Sequence, residues 1–256
     1  MYEPPLSEEF REFARERGGV ISGALLVARI LHPETDEQWC RSELQRLADL
    51  AGAVASGEAL ITFLHSEGFS GSQTYYTSDN SSLEQVLRTR EGIPITLALV
   101  VLGVAEALNL RATGINFPQH FLVAVEGIYA DPFQMQVIDP AVQRQWLEQT
   151  GLPIERAFPE ATPVDIVLRM LNNLRMLASQ RDDHAANLDY SGYQLLIAPE
   201  PFPFHVERVD MWIAAGVPDM ARHELDQALR LAPNETLKEA LVKRRMTIDS
   251  SPSKLH

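Results

Sequence analysis

Between residues 94 and 110 the chain is apolar on almost every side of a helix. Gly92 provides a break before the run, and Pro94 begins it at a position where a helix needs no N–H. A helix without a polar side must be surrounded by other elements. Glu106 and Asn109 interrupt the run, whereas a bilayer span needs about 20 successive apolar residues. The run therefore predicts the central helix of a globular core and not a membrane span.

The periodicity of the chain changes after Leu110. Short runs rich in β-branched and aromatic residues follow at 112–115, 121–125 and 137–138, with Gly, Pro and Asn between them. Such runs are typical of strands joined by tight turns. Residues 8–64 instead repeat apolar positions at helical spacing, and residues 68–82 form a predicted loop. This order of elements predicts an α+β core with a helical N-terminal region.

The charge balance restricts the partners that the chain can bind. Of its 256 residues, 22 are Lys or Arg and 35 are Asp or Glu, which gives a formal net charge of −13. Because nucleic acids and anionic bilayers repel such a surface, we expect no nucleic-acid partner and no membrane partner. Cys40 is the single cysteine, so an internal disulfide is excluded and no zinc site is indicated. We expect a cytoplasmic protein with no secretory signal, metal or cofactor.

A cluster of prolines divides the chain. Pro153, Pro159 and Pro163 lie close together, and the pattern beyond them is helical again. We therefore predict an α+β domain over 1–150 and a helical domain over 151–248. Residues 249–256 are predicted to be a disordered tail.

The spacing within the helical segment resembles the tetratricopeptide repeat, a helix–turn–helix unit of about 34 residues. Ala221, Leu225 and Ala228 lie ahead of Pro233, and Pro199 lies 34 residues before Pro233. Two such repeats are predicted. Repeats of this kind present a concave surface, so we expect a protein or peptide partner.

Three motifs follow one another through the centre of the chain. They are Arg-Glu-Gly-Ile-Pro-Ile at 90–95, Phe-Pro-Gln-His-Phe-Leu at 117–122 and Ile-Asp-Pro at 138–140. In this order they resemble the SirB1 family, in which tetratricopeptide repeats follow a transglutaminase-like, papain-like core. The resemblance is strongest from about residue 75 to residue 140 and looser through the C-terminal helices.

The resemblance implies where a catalytic triad would stand. In the transglutaminase and cysteine-protease core, a cysteine begins the central helix, a histidine lies on the first long strand, and an aspartate on the next strand orients it. The pattern Gly-x-Cys-x-x-x-Ala falls on residues 92–98, which puts Pro94 at the nucleophile position. The histidine falls on His120 and the aspartate on Asp139. A helix N-terminus and an imidazolium would activate a thiol here, but proline has no nucleophilic atom.

Two other side chains could in principle replace the missing thiol. Thr96 is two residues along the predicted helix from Pro94, so its hydroxyl points about 200° away. Cys40 lies beside Trp39 in a periodic helical segment, where a lone cysteine is more often a small core or surface residue than a reactive one. Both observations favour a pseudoenzyme.

His120 and Asp139 allow two interpretations. They could form a buried hydrogen bond that ties two strands together, because a desolvated imidazole needs a partner. Alternatively, they could activate a water molecule for amide or ester hydrolysis. The sequence thus favours a non-catalytic binding or scaffold protein over a hydrolase.

Two further groups of residues are weaker candidates. Tyr75 and Tyr76 could line a cleft near Pro94, although a polar loop ending in a helix cap accounts for the same segment. Asp182, Asp183 and His184 superficially resemble a metal site, but a turn between two helices is an ordinary place for them.

Overall fold

A computed structural model describes residues 3–73, 77–117, 120–151 and 153–250. Within these ranges the chain forms thirteen α-helices and seven short strands. The elements up to the sheet are α1 (Ser7–Glu16), α2 (Val20–Leu31), α3 (Glu37–Ala51), α4 (Gly57–Ser66), β1 (Ser70–Gly71), a 3-10 turn (Ser78–Ser81), α5 (Leu83–Thr89), β2 (Glu91–Gly92) and α6 (Pro94–Ala107).

The sheet and the C-terminal helices complete the chain. They are β3 (Ala112–Phe117), β4 (His120–Val125), β5 (Ile128–Asp131), β6 (Gln136–Val137), α7 (Pro140–Thr150), α8 (Ile154–Ala157), β7 (Glu160–Ala161), α9 (Pro163–Gln180), α10 (His184–Ile197), α11 (Phe202–Ala214), α12 (Pro218–Leu231) and α13 (Glu235–Ser250). The last helix continues two residues into the predicted tail, whose residues 251–256 lie outside the described ranges.

Helix α6 is the centre of the core, as its uninterrupted apolar sequence predicts. Every residue from Ile95 to Ala105 is buried. Helices α2, α3, α4 and α5 pack against it, as do β3 and β4. No helix in the described ranges combines the length and the apolar character needed to cross a bilayer.

Five strands form a mostly hairpin-connected antiparallel sheet in the order β6-β5-β4-β3-β7. The β3–β4 hairpin pairs Phe117 with His120 at its turn, and β4 pairs Val123 with Ala130 of β5. The predicted α+β class is confirmed, with the helix α6 preceding the sheet in the chain and packing against it.

The chain divides into two compact units. One comprises Glu12–Met170, and the other comprises Met1–Arg11 together with Leu171–His256. The division therefore passes through α1 and α9, whereas the sequence places it near residue 150. The proline-rich segment at 153–163 lies within the first unit because β7 pairs with β3 of the sheet.

The unit that comprises Met1–Arg11 and Leu171–His256, called the helical unit below, has a hydrophobic core of its own. Trp212 of α11 is buried with Ala221, Leu225 and Ala228 of α12. The spacing of Ala221, Leu225 and Ala228 suggested a repeat, and the helix that carries them packs against α11, which carries Trp212. Asp183 caps α10 by accepting a hydrogen bond from the Ala186 N–H at 3.0 Å, which explains the polar turn before that helix.

Candidate functional site

Pro94 occupies the first position of α6, directly after the N-cap residue Ile93. Its ring is only partly buried, so a thiol at this position would be accessible. The position itself thus suits a nucleophile at a helix N-terminus, but the residue does not.

The Thr96 hydroxyl is committed to the local structure. Its oxygen accepts a hydrogen bond from the Ile93 N–H at 3.2 Å and donates one to the Asn80 carbonyl at 2.6 Å. The side chain is completely buried. Thr96 therefore ties the start of α6 to the turn at residues 78–81 and offers no attacking hydroxyl.

The Arg-x-Gly-Ile-Pro-Ile motif positions the start of α6. Arg90 has a left-handed backbone (φ 65°), and its guanidinium lies 4.5 Å from the centre of the Phe69 ring. The same guanidinium pairs with Glu43 at 2.7 Å. At Gly92 an added Cβ would lie 2.9 Å from both the Thr96 hydroxyl oxygen and the Val86 side chain. Packing and the ion pair therefore account for Gly92 and for most of the Arg90 side chain, whose Nη1 is buried without a hydrogen-bond partner among the described residues.

Cys40 is completely buried on α3. Burial, with a smaller contribution from the nearby Glu84 carboxylate, raises the pKa of its thiol to about 12. A thiol of this kind stays protonated at neutral pH and is a poor nucleophile. The structure thus provides no reactive sulfur at this position.

His120 is exposed and lies against α7. Its imidazole stacks on the Trp146 indole, with the ring centres 5.7 Å apart and the planes 11° from parallel. The Phe117 ring is 6.2 Å away. Arg169 donates a hydrogen bond to the His120 carbonyl at 3.1 Å.

The alternation of side chains along β4 places His120 on one face of the sheet. Leu122 and Ala124, on the same face, belong to a buried cluster that Trp146 and Phe158 join. Helix α6 packs against β4, but no residue of α6 belongs to this cluster in the described ranges. Helix α6 therefore covers the opposite face, and the imidazole points toward α7.

Asp139 caps a helix and does not orient the histidine. It is the exposed N-cap of α7, where its carboxylate accepts a hydrogen bond from the Ala141 N–H at 2.6 Å. Within the described ranges no hydrogen bond joins it to His120. The expected buried pair is therefore wrong, because both residues are exposed and Asp139 follows β6, two strands from β4.

The strand that follows β4 ends in another carboxylate, Asp131. Extending the Val123–Ala130 pairing by one residue sets Asp131 opposite Leu122, on the face that carries His120. Its carboxylate accepts hydrogen bonds from the N–H groups of Phe133 at 2.8 Å and Gln134 at 3.4 Å. Sequence reasoning missed Asp131. The signal was the Asp-Pro pair closing the run directly after the histidine strand.

Two groups of candidate residues remain from the sequence. Tyr75 and Tyr76 lie outside the described residues, as do Pro118 and Gln119 of the hairpin motif. In the part of the chain that is described, no group of three or more His, Cys, Asp or Glu side chains could hold a metal ion. Asp182, Asp183 and His184 accordingly form no such group.

Comparison with known proteins agrees with this architecture. The family model for the transglutaminase-like superfamily matches residues 37–172, more than half of the chain. A UPF0162 protein of Vibrio cholerae is 31% identical over 55% of this chain and 58% of its own length. A UPF0162 protein of Pseudomonas aeruginosa is 27% identical over 74% of this chain and 73% of its own length.

The SirB1 protein of Salmonella typhimurium is 22% identical, and the alignment covers 96% of this chain and 98% of that protein. No solved structure matches the chain. The resemblance expected from the three motifs is thus confirmed. The chain belongs to the transglutaminase-like superfamily and, within it, to the SirB1 family.

Proposed function

We propose that this protein binds a protein or peptide partner and performs no thiol-dependent acyl transfer. The observation that carries the proposal is Pro94 at the first position of α6, where the reaction would need a cysteine. The burial of Cys40 and the hydrogen bonds of Thr96 support it, because neither group can replace the missing thiol.

The direction of the His120 imidazole supports the same conclusion. The ring stacks on Trp146, on the face of the sheet opposite α6. A general base must come within about 3 Å of the proton it removes. The hydrolase alternative required His120 and Asp139 to act together, and the helix cap formed by Asp139 argues against that pairing.

An acyl-transfer measurement tests the catalytic half of the proposal. The full-length protein is incubated with a glutamine-containing donor peptide and a fluorescent amine under reducing conditions. A parallel sample without amine reports amide hydrolysis of the peptide, and a second sample with a chromogenic ester reports ester hydrolysis. We expect no turnover above the uncatalysed rate. Turnover that His120→Ala abolishes would contradict the proposal, and His120→Gln is the matched control that keeps hydrogen-bonding capacity.

The helical unit supports the binding half. Helices α11 and α12 are consecutive and pack against each other, and Pro233 follows α12, as a repeat of this kind would require. Large apolar side chains are exposed on and around α11–α13: Ile213, Val217, Leu231, Leu237, Val242 and Met246. Exposed apolar surface is a common property of protein-binding sites. The net charge of −13 argues against a nucleic-acid partner.

Selection from a peptide library tests the binding half. A degenerate library is panned on the immobilised full-length protein, and the recovered peptides are synthesised and titrated in solution. We expect a shared sequence pattern and saturable binding. Recovery of unrelated sequences with no saturable binding would contradict this half of the proposal.

A further inference from the structure

The helical unit contains a cavity of about 240 Å³ that combines ionic and apolar side chains. Arg208, His205 and Glu224 supply its ionic part, and Leu195, Leu196 and Met220 supply its apolar part. These residues come from α10, α11 and α12. The cavity is separate from the N-terminus of α6 and from His120, neither of which lines it.

Arg208 is a buried cation with a donor still available. Only 4% of the residue is exposed. Its Nε donates to Glu224 at 2.8 Å and its Nη1 donates to the Leu188 carbonyl at 2.9 Å. Its Nη2 has no hydrogen-bond partner among the residues that the structure describes. Nη2 is also not among the fully buried atoms that lack a partner, so it is accessible and can donate to an acceptor of a ligand.

Glu224 does not compete for that donor. Its carboxylate already accepts hydrogen bonds from Arg208, from His205 at 2.7 Å and from the Trp212 indole at 3.3 Å. Burial alone would raise the pKa of Glu224, but the hydrogen bonds from His205 and Arg208 and the charge of Arg208 lower it overall. The carboxylate therefore stays ionised and holds Arg208 in place.

The chain's own N-terminal segment shows which chemistry fits beside the cavity. Glu3 and Pro4 line it. The Glu3 carboxylate pairs with Arg11 at 2.5 Å, and Pro4 lies so close to Gly192 that an added Cβ there would be 3.2 Å from the proline ring. An acidic residue followed by proline is thus accommodated at this site.

We propose that the cavity binds the acidic side chain of a partner peptide. The carboxylate would accept a hydrogen bond from Arg208 Nη2, and an adjacent apolar side chain would pack against Leu195, Leu196 and Met220. A carboxylate is the preferred occupant because a hydrogen bond from a guanidinium to an ionised acceptor is stronger than one to a neutral acceptor. This inference rests on the proposed binding function and names the chemical class that the helical unit recognises.

Two peptides that differ in one group test the inference. The full-length protein is titrated with acetyl-Ala-Glu-Pro-Leu-amide and with acetyl-Ala-Gln-Pro-Leu-amide, both fluorescently labelled, and binding is followed by anisotropy. We expect the Glu peptide to bind about tenfold more tightly or better, as a hydrogen bond to a charged group provides. Equal affinities would overturn the inference.

A matched pair of variants assigns that binding to the cavity. Substituting Arg208 would leave the buried Glu224 carboxylate without its cation and would destabilise the fold. Met220, in the apolar wall of the cavity, is therefore changed instead. Met220→Glu introduces a carboxylate that competes for the same donor, whereas Met220→Gln has nearly the same size and no charge. We expect Met220→Glu to lose about tenfold in affinity relative to Met220→Gln. Equal binding by the two variants would overturn the inference.

The library peptides separate the two proposals. If they bind Met220→Glu as tightly as Met220→Gln, the cavity is not their site and this inference fails, although the binding function stands. If the library yields no binder, the binding function itself fails. If the library peptides bind Met220→Glu more weakly than Met220→Gln, both the binding function and the assignment of the cavity are supported.

Discussion

The imidazole of His120 and the indole of Trp146 lie stacked, 11° from parallel, with their centres 5.7 Å apart. One ring begins β4 and the other belongs to α7. This contact directs the histidine toward α7, on the face of the sheet that α6 does not cover. The relationship explains why a histidine in a transglutaminase-like motif takes part in packing here.

A double-mutant cycle measures the stacking. We expect His120→Ala and Trp146→Ala to show a coupling free energy of about 0.5 kcal/mol in urea unfolding, the low end for a ring pair because His120 is exposed. Asp139→Ala combined with Trp146→Ala is the control pair. A coupling of zero between the two rings would show that the stack contributes nothing to stability.

Asp139→Ala should lower the free energy of unfolding by about 1 kcal/mol, because α7 loses its N-cap acceptor. Asp139→Asn should cost much less, since an amide oxygen can cap the same N–H. The histidine NMR signals should not move in either variant. A large change in the His120 signals would instead point to a direct interaction between the two residues.

Thr96→Val should destabilise the protein by about 1–3 kcal/mol, because the buried Ile93 N–H loses its acceptor without losing its burial. Thr96→Ser keeps the hydroxyl and should cost less than Thr96→Val. Chemical denaturation of both variants checks the order. A Thr96→Val protein as stable as the parent would disprove the role assigned to this hydroxyl.

The Cys40 thiol should not react with Ellman's reagent at pH 8 in the folded protein and should react fully in denaturant. The reason is burial, which also raises the thiol pKa to about 12. A Pro94→Cys protein that also carries Cys40→Ala should react rapidly when folded, since position 94 is partly exposed at a helix N-terminus. It should still show no acyl transfer, because His120 lies against α7. Efficient transfer by this variant would show that the histidine reaches position 94.

Glu224 should contribute pH-dependent stability. Its pKa in the folded protein lies below the unfolded value of about 4.3, so its contribution is complete above that pH and disappears as pH falls through the folded-state pKa. The difference in unfolding free energy between the parent and Glu224→Gln should therefore be largest at neutral pH and shrink in acid. A difference that does not change between pH 7 and pH 3 would refute this.

Several features of the fold could be predicted because they depend on local patterns. The continuous apolar run predicted the buried helix α6, and the change to short runs rich in β-branched and aromatic residues predicted strands joined by tight turns, of which β3 and β4 are one antiparallel pair. The boundary between the two compact units was less predictable. The end of the first unit lies within α9 because β7 returns to the sheet, a pairing that no local pattern reveals.

The sequence alone determined that Pro94 cannot attack a carbonyl, because that statement needs only the atoms of one side chain and its place at the start of a helix. Only the tertiary structure decided the rest of the site. Asp139 caps α7, Asp131 lies near the histidine strand, and His120 faces away from α6, since strand register and side-chain direction depend on contacts between residues far apart in the chain.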